Sequence, residues 1–145
     1  MLAVFDVDGV LADNSWRTHY IEPGRGKPDW DAFFADVGKD APLPAGTAAV
    51  AAATANGWTP VYLSGRPERC RAATETWLSQ HGFPPGRLLL RSDSDRRPAT
   101  IFKRGALQRL MHVEEIALVV DDDAAVVQMA QNLGLEAKLA DWLDN

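Results

Sequence analysis

Leu2-Ala-Val-Phe-Asp-Val, followed directly by Asp8 and Gly9, is the stretch that decides how this chain folds. Four apolar residues in a row, ending in acid and glycine, lack the alternation of a half-exposed strand and match one buried on both faces of a parallel sheet. Working outward, Thr59-Pro-Val-Tyr-Leu, Arg87-Leu-Leu-Leu-Arg and Ile116-Ala-Leu-Val-Val read as three more strands, and Glu136-Ala-Lys-Leu as a fifth. Helical stretches separate them. Asp29 can cap a helix over about 29–37, with Trp30, Phe33, Phe34 and Val37 on one face. An alanine-rich helix over about 45–55 is stopped by Asn56-Gly57. Pro67 suits the first turn of a helix running to about residue 80. Two further helices cover about 100–111 and a span ending near 133, where Gly134 terminates it. Strands alternating with helices predict an α/β, three-layer Rossmann-like domain with a five-stranded parallel sheet. Residues 9–28 are polar and broken by Pro23, Gly24, Gly26 and Pro28, which predicts a flap or long loop.

The bulk properties agree. A chain of 145 residues has the size of one domain, so residues 1–145 are expected to form a single domain. With 46% hydrophobic and 24% charged residues it fits neither the disordered nor the membrane class. No apolar run approaches a membrane span, and a strand starting at Leu2 leaves no room for a signal peptide. Cys70 is the only cysteine, which rules out an intrachain disulfide and fits a reducing, cytoplasmic compartment. A net charge of −5 argues against a general nucleic-acid binder. The charge is uneven, however: from Arg87 to Arg109 seven basic residues stand against two acidic ones. A nearby anionic substrate and a solvated basic face both account for that excess.

In an open parallel sheet, ligands bind beyond the carboxyl ends of the strands, where the strand order reverses. The notable polar residues collect there. Asp6 and Asp8 follow the first strand, Ser64 the second, and Asp121 and Asp122 the fourth, while Lys103 lies on the helix before that last strand. A spacing of two puts Asp6 and Asp8 on one side of an extended segment, and Gly9 allows a sharp turn after them. Carboxylates gathered beside a second acidic pair repel one another unless a cation sits between them. An oxygen-rich, thiolate-free set suits magnesium (Mg2+). Taken singly, each element has a structural explanation: a helix cap for the paired aspartates, a turn for Ser64, a solvated helix for Lys103. The ordered set of four is what points to chemistry.

That set resembles the haloacid dehalogenase superfamily over nearly the whole chain. Its four motifs stand here as Asp6-Val-Asp8-Gly9-Val10-Leu11, Ser64-Gly65-Arg66, Lys103 and Asp121-Asp122. The resemblance implies that Asp6 is the nucleophile and Asp8 the general acid and base. Ser64 and Lys103 would hold the phosphoryl group, with Gly65 beside the substrate. Asp122 would complete a magnesium site with Asp6 and the backbone carbonyl of Asp8, and Asp121 would support Lys103 or a metal-bound water. Phosphatases of the superfamily carry an aspartate at the Asp8 position and its dehalogenases do not. A phosphomonoester hydrolase working through an aspartyl-phosphate is therefore the implied activity.

A narrower resemblance is to the 3′-phosphatase domain of polynucleotide kinase-phosphatase, carried by Asp29-Trp-Asp-Ala-Phe-Phe, Leu63-Ser-Gly-Arg-Pro, and Val119-Val-Asp-Asp with Val126-Val-Gln-Met. It implies phosphate contacts from Arg17 and Arg66, whose planar forks suit phosphate oxygens. Trp16, His19, Tyr20 and Trp30 could stack on a base or simply pack the loop down. Two departures bear on the nucleic-acid substrate: Ala99 stands where the family usually has aspartate, and Asp123 where it often has arginine. No GK[ST] loop of a kinase occurs in these residues. About fifty residues separate the first two long strands, too few for a large cap domain. An open site would admit a bulky substrate or a covering subunit of a homo-oligomer.

The candidate substrates are therefore a nucleic-acid 3′ end, a nucleotide or a small phosphorylated metabolite. A phosphorelay receiver also combines acids, a hydroxyl and a lysine, but there the lysine comes last, whereas Lys103 precedes Asp121-Asp122. A non-catalytic magnesium- or phosphate-binding module is the remaining alternative; joint retention of Asp6, Asp8, Ser64, Lys103 and Asp122 speaks against it.

Overall fold

In the computed structural model of the protein, which describes residues 1–24 and 26–143, β1 (Leu2–Phe5) is buried along its whole length. It runs parallel between β4 (Thr59–Pro67) and β6 (Ile116–Asp121). β5 (Arg87–Arg91) pairs with β4, and β7 (Ala137–Leu139) with β6, giving a parallel sheet in the order β5-β4-β1-β6-β7.

Alternate side chains of a strand leave on opposite faces. Ala3 and Phe5 enter a core with Val50, Tyr62, Trp77 and Leu78, built with α2 (Pro44–Ala55) and α3 (Arg71–Gln80). Leu2 and Val4 enter a second core with Leu63, Phe102, Leu107 and Ala130, built with α4 (Ala99–Met111) and α5 (Ala124–Asn132). Helices thus cover both faces, which is why the central strands carry apolar residues without alternation. The fold is the three-layer, five-stranded α/β domain the sequence predicts.

The winding fixes where a site forms. From β1 the chain winds through β4 to β5, then crosses back to β6 and β7 on the other side of β1. The reversal lies beside β1, so the residues after β1 and after β6 face each other across the crevice.

Two local expectations change. Residues 9–28 are not loop throughout: β2 (Ala12–Asp13) pairs antiparallel with β3 (Ala41–Pro42), and Ser15–Tyr20 forms a 3-10 helix. α1 (Trp30–Ala35) follows, its first turn closed by the Asp29 carboxylate accepting from the Ala32 N–H at 3.0 Å, and it stops short of Val37. β4 also runs on to Pro67, so Ser64-Gly65-Arg66 belongs to the strand end, and Pro67 closes the strand rather than opening a helix. Its pairing with β5 shifts register between Leu63 and Pro67, where Pro67 stands opposite Arg91 at the end of both strands. A 3-10 turn, Glu68–Cys70, then leads into α3. Among the described residues only the flap, α1, a 3-10 turn (Val37–Lys39), β3 and α2 lie between β1 and β4, with no large cap. Among the described residues no helix is long and apolar enough to cross a membrane.

Candidate active site

Asp6 leaves the buried end of β1 and turns toward the end of β6. Its Oδ1 accepts the Val7 N–H at 2.8 Å and lies 3.2 Å from Lys103 Nζ. Lys103 reaches in from α4, almost wholly buried, and donates to Asp121 Oδ2 at 2.6 Å. The other Asp121 oxygen takes the Asp123 N–H at 3.0 Å. Asp6, Asp121 and Asp122 each offer a carboxylate oxygen, all within 4.8 Å of one another. Gly9 lets this crowding happen: its backbone sits at φ +79°, and any side chain there would run into the Asp122 carboxylate.

Three carboxylates share one ammonium, and the proton affinities of Asp6 and Asp122 show the imbalance. Burial raises Asp6 well above the ordinary carboxylate range; Lys103 opposes this, and Asp121, Asp122 and Asp8 add to it. Asp122 is pushed up to about 6, mainly by burial, with its contact to Asp6 pulling the other way. Lys103 would lose basicity through burial, but Asp6 and Asp121 more than offset this and keep it charged. An all-oxygen donor set with uncompensated negative charge fits a hard divalent cation such as Mg2+.

Asp8 sits two residues on, yet its carboxylate belongs to a different set of partners. β1 has ended at Phe5, and the two side chains diverge instead of forming one pair. Asp8 Oδ1 accepts from Arg17 Nη2 at 2.9 Å and from Arg66 Nη2 at 2.7 Å, and Oδ2 from Arg66 Nε at 3.1 Å. Burial favours the protonated acid, but Arg66 and Arg17 outweigh it and hold Asp8 below the usual range. The neighbouring Asp6 does not win this contest.

The same arginines are anchored from behind by Asp40, a buried carboxylate at the foot of β3. Asp40 Oδ1 takes Arg17 Nε and Trp16 Nε1, both at 2.9 Å, while Oδ2 takes Arg17 Nη2 at 2.7 Å and Arg66 Nη2 at 3.2 Å. Arg17 Nη1 donates to the Phe33 carbonyl at 2.8 Å, and Arg66 Nη1 to Thr74 Oγ1 at 2.9 Å. The resemblance assigns both arginines to substrate; here their nitrogens are committed to Asp8, Asp40, Phe33 and Thr74. Sequence reasoning missed Asp40 and Thr74. Asp40 lies in an ordinary-looking Lys-Asp-Ala-Pro turn, and nothing in that spelling marks a buried charge.

Ser64 is buried at the end of β4, its Oγ accepting the Arg66 N–H at 3.1 Å, and Gly65 beside it is partly exposed. The two departures have local roles. Ala99 opens α4, and Asp123 caps α5 through the Ala125 N–H at 2.9 Å.

Comparisons with known proteins bear on the family and the fold. The family described as the polynucleotide kinase PNKP phosphatase domain matches residues 1–140. Among solved structures, a chain of a Pnkp1/Rnl/Hen1 RNA repair complex superposes with a TM-score of 0.73 at 22% identity, covering 95% of this chain and 41% of that one. The class C acid phosphatase from Bacillus anthracis with tungstate bound gives 0.67 at 19% identity, covering 92% and 61%. A hydrolase from Streptococcus pneumoniae TIGR4 gives 0.60 at 11%, covering 94% and 90%. The chain thus spans less than half of the RNA-repair chain it matches. No curated protein matches it in sequence.

Proposed function

The chain belongs to the polynucleotide kinase PNKP phosphatase domain family, and on that premise we propose that it hydrolyses 3′-phosphate ends of nucleic acid, with magnesium, through an aspartyl-phosphate on Asp6. It is a phosphatase of the haloacid dehalogenase type, a hydrolase of phosphoric monoesters. The observation that carries the finer reading is the pairing of two clusters: Asp6 with Lys103, Asp121 and Asp122, beside Asp8 held between two arginines.

Asp6 attacks phosphorus, and the P–O bond to the substrate alcohol breaks. Asp8 supplies the proton the departing oxygen takes up. Water then attacks the aspartyl-phosphate and gives a proton to Asp8, which frees Asp6 and inorganic phosphate. Lys103 and the Ser64 hydroxyl offset charge on the transferring oxygens. Asp6, Asp122 and the Asp8 carbonyl would hold the magnesium ion, with Asp121 beside them; when bound, it neutralises the phosphoryl oxygens and the crowded carboxylates. Asp8 held ionised by Arg17 and Arg66 is already in the form that accepts the proton from water. For the first step it must gain a proton, which drawing either arginine toward a phosphoryl oxygen would favour.

Residues 1–145 would act as one domain, with residues 9–28 as a flap that leaves the site open to a polymer end. The solved Pnkp1/Rnl/Hen1 complexes, one chain of which shares this fold, belong to RNA repair, and that supports a nucleic-acid end as substrate. The single cysteine, Cys70, is buried and suits a cytoplasmic setting.

The test is hydrolysis of an aryl phosphate with and without magnesium by the parent and by Asp6→Asn, followed by 3′-phosphorylated oligonucleotides and mononucleotides as competing substrates. Activity surviving in Asp6→Asn rejects the nucleophile. A preference for small phosphorylated metabolites over oligonucleotides rejects the substrate class and leaves the hydrolase.

A further inference from the structure

A cleft of about 290 Å³ opens at Gly65, so it begins where the phosphoryl site ends. That is near the lower limit of small-molecule sites, roughly 300–1,000 Å³, and suits a single nucleoside. One wall is α1, just after the flap, where Trp30 stacks on Phe34 with ring centres 5.8 Å apart and planes 23° from parallel. The other wall is the end of β5 and the loop after it. Trp30 is 49% exposed, so it lines this cleft without being consumed by the core.

The charges of the cleft point to an anion. Its carboxylates are already engaged. Arg97 grips both Asp95 oxygens, at 3.0 and 2.7 Å, and Asp93 accepts the Arg69 N–H at 3.0 Å. The arginines are not used up to the same degree. Arg69 lies 5.7 Å over the Phe34 ring, with loose ion pairs of 3.4 Å to Asp31 and 3.8 Å to Asp93. Arg91 covers Gly65, and its buried Nε has no acceptor among the described residues. Arg96 has no ion pair there at all and also borders a second, more open trough beyond Trp30, beside Lys27. A flat aromatic surface next to unspent guanidinium donors is the chemistry that receives a base and a phosphodiester.

We propose that this cleft holds the nucleoside that carries the scissile 3′-phosphate, its base laid on Trp30, with the phosphodiester on its 5′ side against Arg96. This rests on the phosphatase reading of the site and adds to it the residues that select a nucleotide over a smaller phosphate ester.

The experiment compares a short 3′-phosphorylated oligonucleotide with an aryl phosphate for the parent, Trp30→Ala, Trp30→Phe and Arg96→Gln. It also measures binding of the same oligonucleotide to each variant in an Asp6→Asn background. Trp30→Ala lowers kcat/KM for the oligonucleotide about tenfold more than for the aryl phosphate, mostly through KM, and Trp30→Phe restores most of the difference. Arg96→Gln weakens oligonucleotide binding about fivefold at low salt and flattens its salt dependence. Equal losses on both substrates would mean that Trp30 only packs the flap, and the inference falls. It falls equally if both variants leave oligonucleotide binding unchanged, even where aryl phosphate hydrolysis upholds the phosphatase. Conversely, weakened binding in the Asp6→Asn background together with an inert parent enzyme would overturn the catalytic reading and keep the docking site.

Discussion

Asp6 and Asp8 are two residues apart, and the clusters built on them are electrostatic opposites. Around Asp6, three carboxylates share one ammonium, and the site stays negative. Around Asp8, two carboxylates meet two guanidiniums, every oxygen accepts a hydrogen bond, and the charge closes on itself. Burial acts on both sets. In the first it meets too little positive charge, and Asp6 is pushed toward its protonated form. In the second it is overcome, and Asp8 stays ionised. On the proposed function the difference divides the labour: the unbalanced cluster would take a divalent cation and a phosphoryl group, and the balanced one presents a carboxylate whose geometry is already set.

Asp6→Asn would break the comparison most severely. Turnover of an aryl phosphate is expected to fall by at least about 10⁴-fold, because the proposed covalent step has no other carboxylate in the same place. Asp40→Asn attacks the balanced cluster next. It leaves two buried guanidiniums to share one carboxylate, an expected loss of about 3–5 kcal/mol in urea unfolding.

Acidity separates the clusters by sign. The folded pKa of Asp6 lies above its unfolded value of about 3.9, so without divalent ions its contribution to stability is present below that value and is lost as pH rises through the folded pKa. Asp6→Asn should therefore melt higher than the parent at pH 7 in a chelator, with the gap closing toward pH 4 and reversing when magnesium is added. The folded pKa of Asp8 lies below the unfolded value. Its pairing stabilises above about pH 3.9 and is lost as pH falls through the lower folded pKa, so Asp8→Asn should lose this acid-dependent component. Melting temperature against pH checks both, and matching slopes for the two variants would dissolve the distinction. The smallest effect belongs to Asp123→Ala, which removes the cap of α5 at a cost of about 1 kcal/mol in the same unfolding assay.

The elements surrounding the site were legible to different degrees. β1, β5 and β6 read correctly because apolar runs without alternation have few other uses, and Asp29 was recognisable as a cap. β4 was cut short at Leu63, since Ser-Gly-Arg-Pro is spelled like a turn; what extends the strand is Arg66, whose guanidinium is held inside the fold by Asp8, Asp40 and Thr74. The flap read as loop because two-residue strands carry no periodicity. Asp6, Lys103, Asp121 and Asp122 could be anticipated as neighbours from their places at strand ends and on α4. Asp40 could not, since it stands 32 residues from Asp8 and touches it only through two arginines.

The sequence by itself determined the sheet, its helical cover and the rim at which the acids gather, because hydrophobic period and strand-end position are local properties of the chain. Only the tertiary structure decided which acid is balanced and which is not. Proton affinity depends on burial and on partners brought in from distant segments, here Arg17, Asp40, Arg66 and Lys103, and no spacing along the chain encodes those distances.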